Sequence, residues 1–479
     1  IDPSFGTMED MEELIREADK RGIKIVLDLV YNHTSDQHKW FIESKSSKDN
    51  PKADWYIWRP AKDGKEPTNW RGIFGGSAWT WCDERQEYYL HTFASQQPDL
   101  NWANPEVRQA LFDSANFWVK KGVGGFRIDA ITYIKKPEEY VDGTPDGKDG
   151  MVSIHDMTAN QEGILDYLKE FKKEVTEGKD IFTVAEANGV HADELKYWVG
   201  KDGAFDLLFE FSHVNLEFEG VETWCYPNEW KLTDLKKALF ASQAATKNNG
   251  WYPIFFENHD KPRSASHYFS SDCDPIEAAK AIAVLQMTLR GTPFIYQGQE
   301  LGYTNVRFDH IDDYDELNSK AQYEFALQEG FNESEAMEFV ARFSRDNART
   351  PMQWDDSENA GFTTGKPWLP IHKDYKTCNA KAQAADPDSV LSWYKTLSQL
   401  RKEHPELIEG DFTPILEDDE NIIAYKRTFK KTCIVLVNFS NKEVEYDDTI
   451  VKNAKLLVSS KKDWIPGKLR ANEAVVLEM

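Results

Sequence analysis

The chain has 479 residues, 57 of them Lys or Arg and 82 Asp or Glu, for a formal charge of −25. That acidic excess argues against a nucleic-acid backbone or an anionic membrane as the main partner, and no apolar run approaches the roughly 20 residues a membrane span requires. With 40% hydrophobic and 29% charged residues, the composition fits a sizeable core rather than disorder. The length suits roughly three domains, or one large barrel with appendages.

Five cysteines, Cys82, Cys225, Cys273, Cys378 and Cys433, are odd in number, scattered and without a CxxC pair. This suits a reducing compartment better than a disulfide framework or a zinc site, and a cytoplasmic location is expected. Aromatic residues make up 13% of the chain, and seven of its 16 Trp lie between Trp40 and Trp102. Core packing accounts for many such rings. Their density in a stretch broken by Gly, Pro, Asn and Asp also predicts rings lining a cleft for an amphipathic ligand such as a sugar.

Ile1-Asp2-Pro3 has no initiator Met and no apolar leader, so neither a signal peptide nor a natural start is expected there. Thr7-Met8-Glu9-Asp10 is a capping signature, and Met11, Leu14, Ile15 and Ala18 recur at helical spacing up to Gly22. A short buried strand, 23–27, then ends at Asp28. The couplet of helix and strand recurs. Val107, Leu111, Ala115 and Trp118 precede a strand at 124–129, and Ile164, Leu168 and Phe171 precede one at 180–186. A short helix at 192–199 leads to 204–211, Leu235, Ala238 and Leu239 lead to 251–258, and Ile276, Ile282, Leu285 and Leu289 lead to 292–296.

Six such couplets predict an α/β fold with a parallel sheet, a (β/α)8 TIM barrel rather than a doubly wound sheet, with its first two strands preceding Ile1. Residues 34–103 show no helix period and read as an insertion. From about residue 407, short β-rich runs at 421–426, 433–439, 456–458 and 474–477 predict a small antiparallel sandwich. The expected division is a barrel domain of 1–33 and 104–406, an inserted domain of 34–103 and a C-terminal domain of 407–479.

Barrel enzymes keep their chemistry at the carboxyl ends of the strands. Here those ends carry Asp28 with Asn32 and His33, Arg127 with Asp129, Glu186, and Asn258-His259-Asp260, expected to converge on one mouth. Paired carboxylates suit acetal cleavage, in which one attacks and the other protonates the leaving oxygen. The rival is a divalent metal on Asp28, Asp129, Glu186 and Asp260. Arg127, on the same strand face as Asp129, would oppose a cation and favour an ionised carboxylate. Signatures for a phosphate loop, a nucleophile elbow and a zinc protease are absent, and Gly75-Gly76-Ser77 reads as a turn.

Asp28-Leu-Val-Tyr-Asn-His33, Gly125-Phe-Arg-Ile-Asp129, Val184-Ala-Glu186-Ala-Asn188 and Glu257-Asn-His-Asp260 resemble the four ordered motifs of the α-amylase superfamily, glycoside hydrolase family 13. Gln97-Pro-Asp-Leu-Asn101 and the run from Arg345 to Trp354 are similar to its oligo-1,6-glucosidase and α-glucosidase branch. The resemblance implies Asp129 as nucleophile, Glu186 as general acid/base and Asp260 as a third carboxylate that orients and strains the sugar. It implies that Arg127 holds Asp129 ionised, that His33 and His259 bind the sugar, and that Asp28 supports the site from behind. Arg345 would reach the terminal glucose, with Arg349 as the alternative match.

Residues 34–103 would be the family's domain B and the tail its domain C. The family's first strands, its calcium-binding loop and further glucose-binding residues would lie before Ile1, so no cofactor and no metal is expected in this chain. The expected partner is a small oligosaccharide substrate, with no nucleic acid and no membrane, and the protein is expected to be a monomer.

Within the branch, a Val after the nucleophile goes with α-1,6 preference and a smaller residue with α-1,4. Ala130, expected to point from the strand towards the leaving sugar, and the segment Glu186-Ala-Asn-Gly189 therefore imply a retaining, exo-acting α-1,4-glucosidase acting on maltose and short oligosaccharides. The alternatives are an oligo-1,6-glucosidase, a sucrose-active or transglycosylating α-glucosidase, or a non-catalytic relative serving as a binding or scaffold module. Lys261-Pro-Arg-Ser-Ala-Ser-His267 does not match the Arg-rich loop of sucrose isomerases.

Overall fold

A computed structural model describes residues 1–218, 223–248 and 250–479. The chain divides into two compact units, residues 1–211 and 212–479.

In the first unit the helix Met8–Asp19 starts in a capping box, with Thr7 and Asp10 each accepting the other's backbone N–H. The helix Pro105–Lys121 has Asn104 as N-cap, Pro in its first turn and the left-handed Gly122 at its end. These helices, with Ile164–Phe171 and the short Leu195–Trp198, alternate with four parallel strands. Val26–Val30, Gly125–Asp129, Phe182–Glu186 and Leu207–Phe209 pair in chain order. Gly125 permits the close approach of its neighbour, since a Cβ there would meet the Phe182 carbonyl oxygen at 2.2 Å.

Two expectations for residues 34–103 need correction. The stretch does contain a helix, Lys39–Ser46, opened by the His38 side chain, which accepts from the Trp40 N–H. Most of its indole rings also form core: Trp55, Trp58, Trp70, Trp79 and Trp102 are buried, Trp40 is partly buried and Trp81 is exposed, while Tyr56 and Trp58 also line a small cavity with Arg59 and Tyr140. Burial is tolerable because the indole N–H groups find internal acceptors. Trp58 donates to Ser44 Oγ (3.0 Å), Trp70 to the Val141 carbonyl (2.9 Å), Trp79 to Thr68 Oγ1 (2.9 Å) and Trp102 to the Tyr31 carbonyl (2.7 Å). Trp58–Arg59, Glu87–Leu90 and Trp79–Cys82 form a three-stranded antiparallel sheet over these rings.

In the second unit the helices Leu232–Ala245 and Pro275–Thr288 precede the parallel strands Pro253–Ile254 and Thr292–Pro293. These strands are much shorter than the sequence suggests. Gln286, on the second helix, donates from its amide to the carbonyls of Ile254 (2.6 Å) and Phe294 (2.8 Å), so a side chain completes the hydrogen bonding where the ladder stops. The helices Leu317–Glu329 and Glu333–Phe343 have no counterpart in the sequence reading.

A five-stranded antiparallel sheet follows, in the order Asp411–Ile415, Ile422–Thr428, Thr432–Asn438, Ala474–Glu478, Lys455–Ser459, with a second pair, Val444–Glu445 and Lys468–Leu469. Alternate residues Ile422 and Ala424, Ile434 and Leu436, and Val475 and Leu477 form its core with Val451 and Leu469. Among the described residues all five cysteines are free, and no helix is long and apolar enough to cross a membrane.

Candidate active site

Strand register assembles the site of the first unit. Asp28 pairs with Arg127, Val30 with Asp129, and Ile128 with Ala185, so Asp129 and Glu186 end neighbouring parallel strands at the same level. Arg127 lies two residues before Asp129 and therefore on the same sheet face. Its guanidinium donates to Asp129 Oδ1 at 2.6 Å and to Asp28 Oδ1 and Oδ2 at 3.1 and 2.9 Å, and its second terminal nitrogen touches Glu186 Oε2. One arginine thus contacts three of the four carboxylates that a metal site would have used. Burial would lower the Arg127 pKa, but Asp129 and Asp28 override it and raise it, so the guanidinium is a permanent charge.

Asp28 is half exposed, whereas Asp129 and Glu186 are largely enclosed. His33 is buried, its two ring nitrogens within hydrogen-bond distance of Asn32 Nδ2 (3.4 Å) and Gln97 Nε2 (3.0 Å). Burial lowers its pKa against the pull of Asp99 and Asp129, which keeps the imidazole neutral at neutral pH.

Behind His33 lies a group that the sequence reading missed. The fully buried Lys136 ammonium sits 2.7 Å from Asp99 Oδ2 and donates to the Tyr133 carbonyl (2.6 Å) and Asn32 Oδ1 (3.1 Å). Asp99 belongs to the Gln97–Asn101 motif, but no sequence spacing links it to Lys136.

Ala130 departs from the geometry expected of it. It lies beyond the strand in a left-handed conformation, φ 45° and ψ 38°, opening the turn Ile131–Tyr133, and its side chain is buried. Strand alternation therefore does not set its direction.

The second unit holds His259 and Asp260. Arg349 Nη2 donates to Asp260 Oδ1 at 2.7 Å, and Arg345 Nη1 lies 3.3 Å from the same oxygen. Arg345 also reaches Glu316 Oε1 at 3.3 Å, while Arg349 Nε donates to the His259 carbonyl at 3.0 Å. Both arginines weighed from sequence thus face this carboxylate. His259 is half exposed, with Nε2 3.7 Å from Asp260 Oδ1. Burial would raise the Asp260 carboxyl, but Arg345, His259, Arg349 and Lys261 bring it down to about 2. Glu257 and Arg263, both buried and 3.0 Å apart, brace the loop that carries Asp260.

The alpha amylase catalytic-domain family matches residues 1–410. The oligo-1,6-glucosidase of Parageobacillus thermoglucosidasius is 44% identical over 462 residues, covering 95% of this chain and 82% of that protein. The α-glucosidase of Pediococcus pentosaceus is 38% identical, covering 100% and 87%. Among solved structures, the isomaltulose synthase PalI of Klebsiella sp. LX3 superposes with a TM-score of 0.92 at 36% identity, covering 99% and 86%. With these likenesses the parallel strands and the C-terminal antiparallel sheet are those of the α-amylase fold, a TIM barrel with a domain B and a C-terminal sheet domain. The chain belongs to the α-amylase family, glycoside hydrolase family 13, as a hydrolase of the oligo-1,6-glucosidase and α-glucosidase type.

Proposed function

We propose that the protein is a retaining, exo-acting α-glucosidase that releases terminal α-1,4-linked glucose from maltose and short oligosaccharides. The observation that carries the retaining mechanism is the placement of Asp129 and Glu186 at the ends of adjacent parallel strands, against one guanidinium. Neighbouring strands lie about 4.7–4.9 Å apart. A retaining pair works at about 5–5.5 Å, whereas an inverting pair needs about 6.5–9.5 Å to admit a water.

Asp129 attacks the anomeric carbon as the glycosidic C–O bond breaks, and Glu186 gives its proton to the departing oxygen. Water then attacks the same carbon, Glu186 takes the proton from it, and Asp129 leaves with its electron pair. Arg127 holds the nucleophile in place through its 2.6 Å hydrogen bond to Asp129 Oδ1. Its contact with Glu186 favours the ionised acid, so that contact gives way when the sugar oxygen takes its place. Neutral His33 adds no charge beside the sugar. Asp260, the third carboxylate, stays ionised throughout the working pH range.

The α-1,4 preference rests on the small Ala130 after the nucleophile. A second reading, α-1,6 cleavage, is favoured by the name of the Parageobacillus relative. Proton NMR of the first glucose released, with kcat/KM for maltose and isomaltose, tests both. The α-anomer first and a preference for maltose are expected. The β-anomer first overturns retention, an isomaltose preference overturns the linkage, and internal fragments from long amylose overturn exo action.

A further inference from the structure

The C-terminal sheet and the helix before it bring together four metal-ligating side chains that play no part in glycoside chemistry. His404 follows the helix Val390–Glu403 in an extended conformation, and Glu406 begins the next short helical turn, Glu406–Glu409. Cys433 is the second residue of the strand Thr432–Asn438, and Glu478 ends the strand Ala474–Glu478 directly opposite it. Opposed residues in an antiparallel ladder share a face, with Cβ atoms about 4.5–5.5 Å apart. Ligand atoms of His404, Glu406 and Cys433 all lie within 4.8 Å of one another. His404 Nδ1 lies 3.3 Å from Glu478 Oε2.

We propose that His404, Glu406, Cys433 and Glu478 form a zinc site that clips the end of the helix Val390–Glu403 to the C-terminal sheet. A tetrahedral zinc ion with Zn–N and Zn–O bonds of about 2.0–2.2 Å has N···O edges of about 3.4 Å, which the His404–Glu478 pair already matches. The Glu406 oxygen and the Cys433 sulfur, within 4.8 Å of each other and of His404, need to close in by about 1 Å, and the Glu478 carboxylate, outside that set of three, turns towards them from its contact with His404.

The donor set of one imidazole, one thiolate and two carboxylates suits zinc or cobalt rather than calcium or magnesium, which take oxygen donors. Cys433 and Glu406 are almost completely buried, while His404 and Glu478 keep partial exposure and give the ion a way in. Binding releases the Cys433 proton to solvent. The thiolate and two carboxylates then bring three negative charges against the ion's two positive ones. The neighbouring cations balance the remainder: Lys431 Nζ lies 2.8 Å from Glu478 Oε1, and the buried Arg427 is the register partner of Cys433 on its other side. CxxC spacing is no guide here, because the ligands come from three separate stretches of the chain, 404–406, 433 and 478.

The full chain, stripped with a chelator, is titrated with Co²⁺ and separately with Zn²⁺. One equivalent of Co²⁺ should give the near-ultraviolet thiolate-to-cobalt charge-transfer band, and Zn²⁺ should raise the thermal midpoint by several degrees. Cys433→Ser should abolish the band. His404→Ala, at a partly exposed position, should fold, weaken Co²⁺ binding at least tenfold and remove most of the Zn²⁺ shift. No band with excess Co²⁺ overturns the site, as does an unchanged band in a folded Cys433→Ser or an unchanged affinity in His404→Ala.

Discussion

Arg349 Nη2 donates to Asp260 Oδ1 at 2.7 Å, and Arg345 approaches the same oxygen at 3.3 Å. Two guanidinium groups on one carboxylate oxygen outweigh the burial of that carboxylate and hold it charged down to about pH 2.

That depression has a consequence for acid stability. A carboxylate whose folded-state pKa is about 2, against an unfolded value near 3.8, stabilises the fold above about pH 4. The contribution is lost as the pH falls towards 2, and it amounts to about 2 kcal/mol. Urea unfolding of the protein and of Asp260→Asn between pH 5 and pH 2 should show a stability difference that changes by this amount. A difference that stays flat across the window would show that Asp260 is not linked to folding.

Arg127 should matter through its charge and its fork. Arg127→Met removes the cation from Asp28, Asp129 and Glu186 together, so kcat/KM should fall roughly 100-fold or more. Arg127→Lys keeps the charge but cannot span three carboxylates from one point, so it should recover only part of the rate. A methionine variant with an unchanged kcat/KM would deny the arginine its role at these three carboxylates.

The parts of this arrangement that were legible in the sequence are those that local pattern controls. Thr7 and Asp10 announce a helix start because the capping box is a four-residue device. Arg127 and Asp129 share a face because side chains alternate along a strand. Glu186 stands out because it ends an apolar run. Tertiary pairing leaves no such trace. Lys136 is a buried cation only because the fold brings Asp99 and Asn32 to it. The tryptophans of the insertion could not be divided between core and cleft, since an indole suits either until its N–H finds an acceptor. The short strands at Pro253 and Thr292 depend on the Gln286 side chain, which hydropathy does not register.

The Lys136–Asp99 pair should be costly to break and cheaper to remove whole. Lys136→Met leaves Asp99 buried with its charge partner gone, which should cost about 3–5 kcal/mol. Adding Asp99→Asn removes the stranded charge. The Thr92 N–H that donates to Asp99 Oδ1 at 3.0 Å retains an acceptor, so a good part of that loss should return. Denaturant unfolding of the two single variants and the double variant measures the coupling. Additive losses would mean that the two residues act independently.

Linkage preference should respond to the backbone at Ala130 as well as to its bulk. Ala130 follows Asp129 at φ 45° with its methyl buried, and it opens the turn Ile131–Tyr133. Its backbone carbonyl accepts from the Tyr133 N–H at 3.1 Å, which closes that turn. A β-branched residue is a poor occupant of the left-handed region. Ala130→Val should therefore push the turn away from its present path and cost about 1–3 kcal/mol of stability. If the path of the turn sets the width beside the leaving sugar, the maltose-to-isomaltose ratio of kcat/KM should move towards isomaltose by about one order of magnitude, as methylene-scale changes allow. Ala130→Gly separates specificity from strain. Glycine accepts positive φ freely and adds no bulk, so it should leave the maltose-to-isomaltose ratio unchanged with little loss of stability. A valine variant that is destabilised yet unchanged in its ratio would confine Ala130 to a backbone role and leave the α-glucosidase assignment intact.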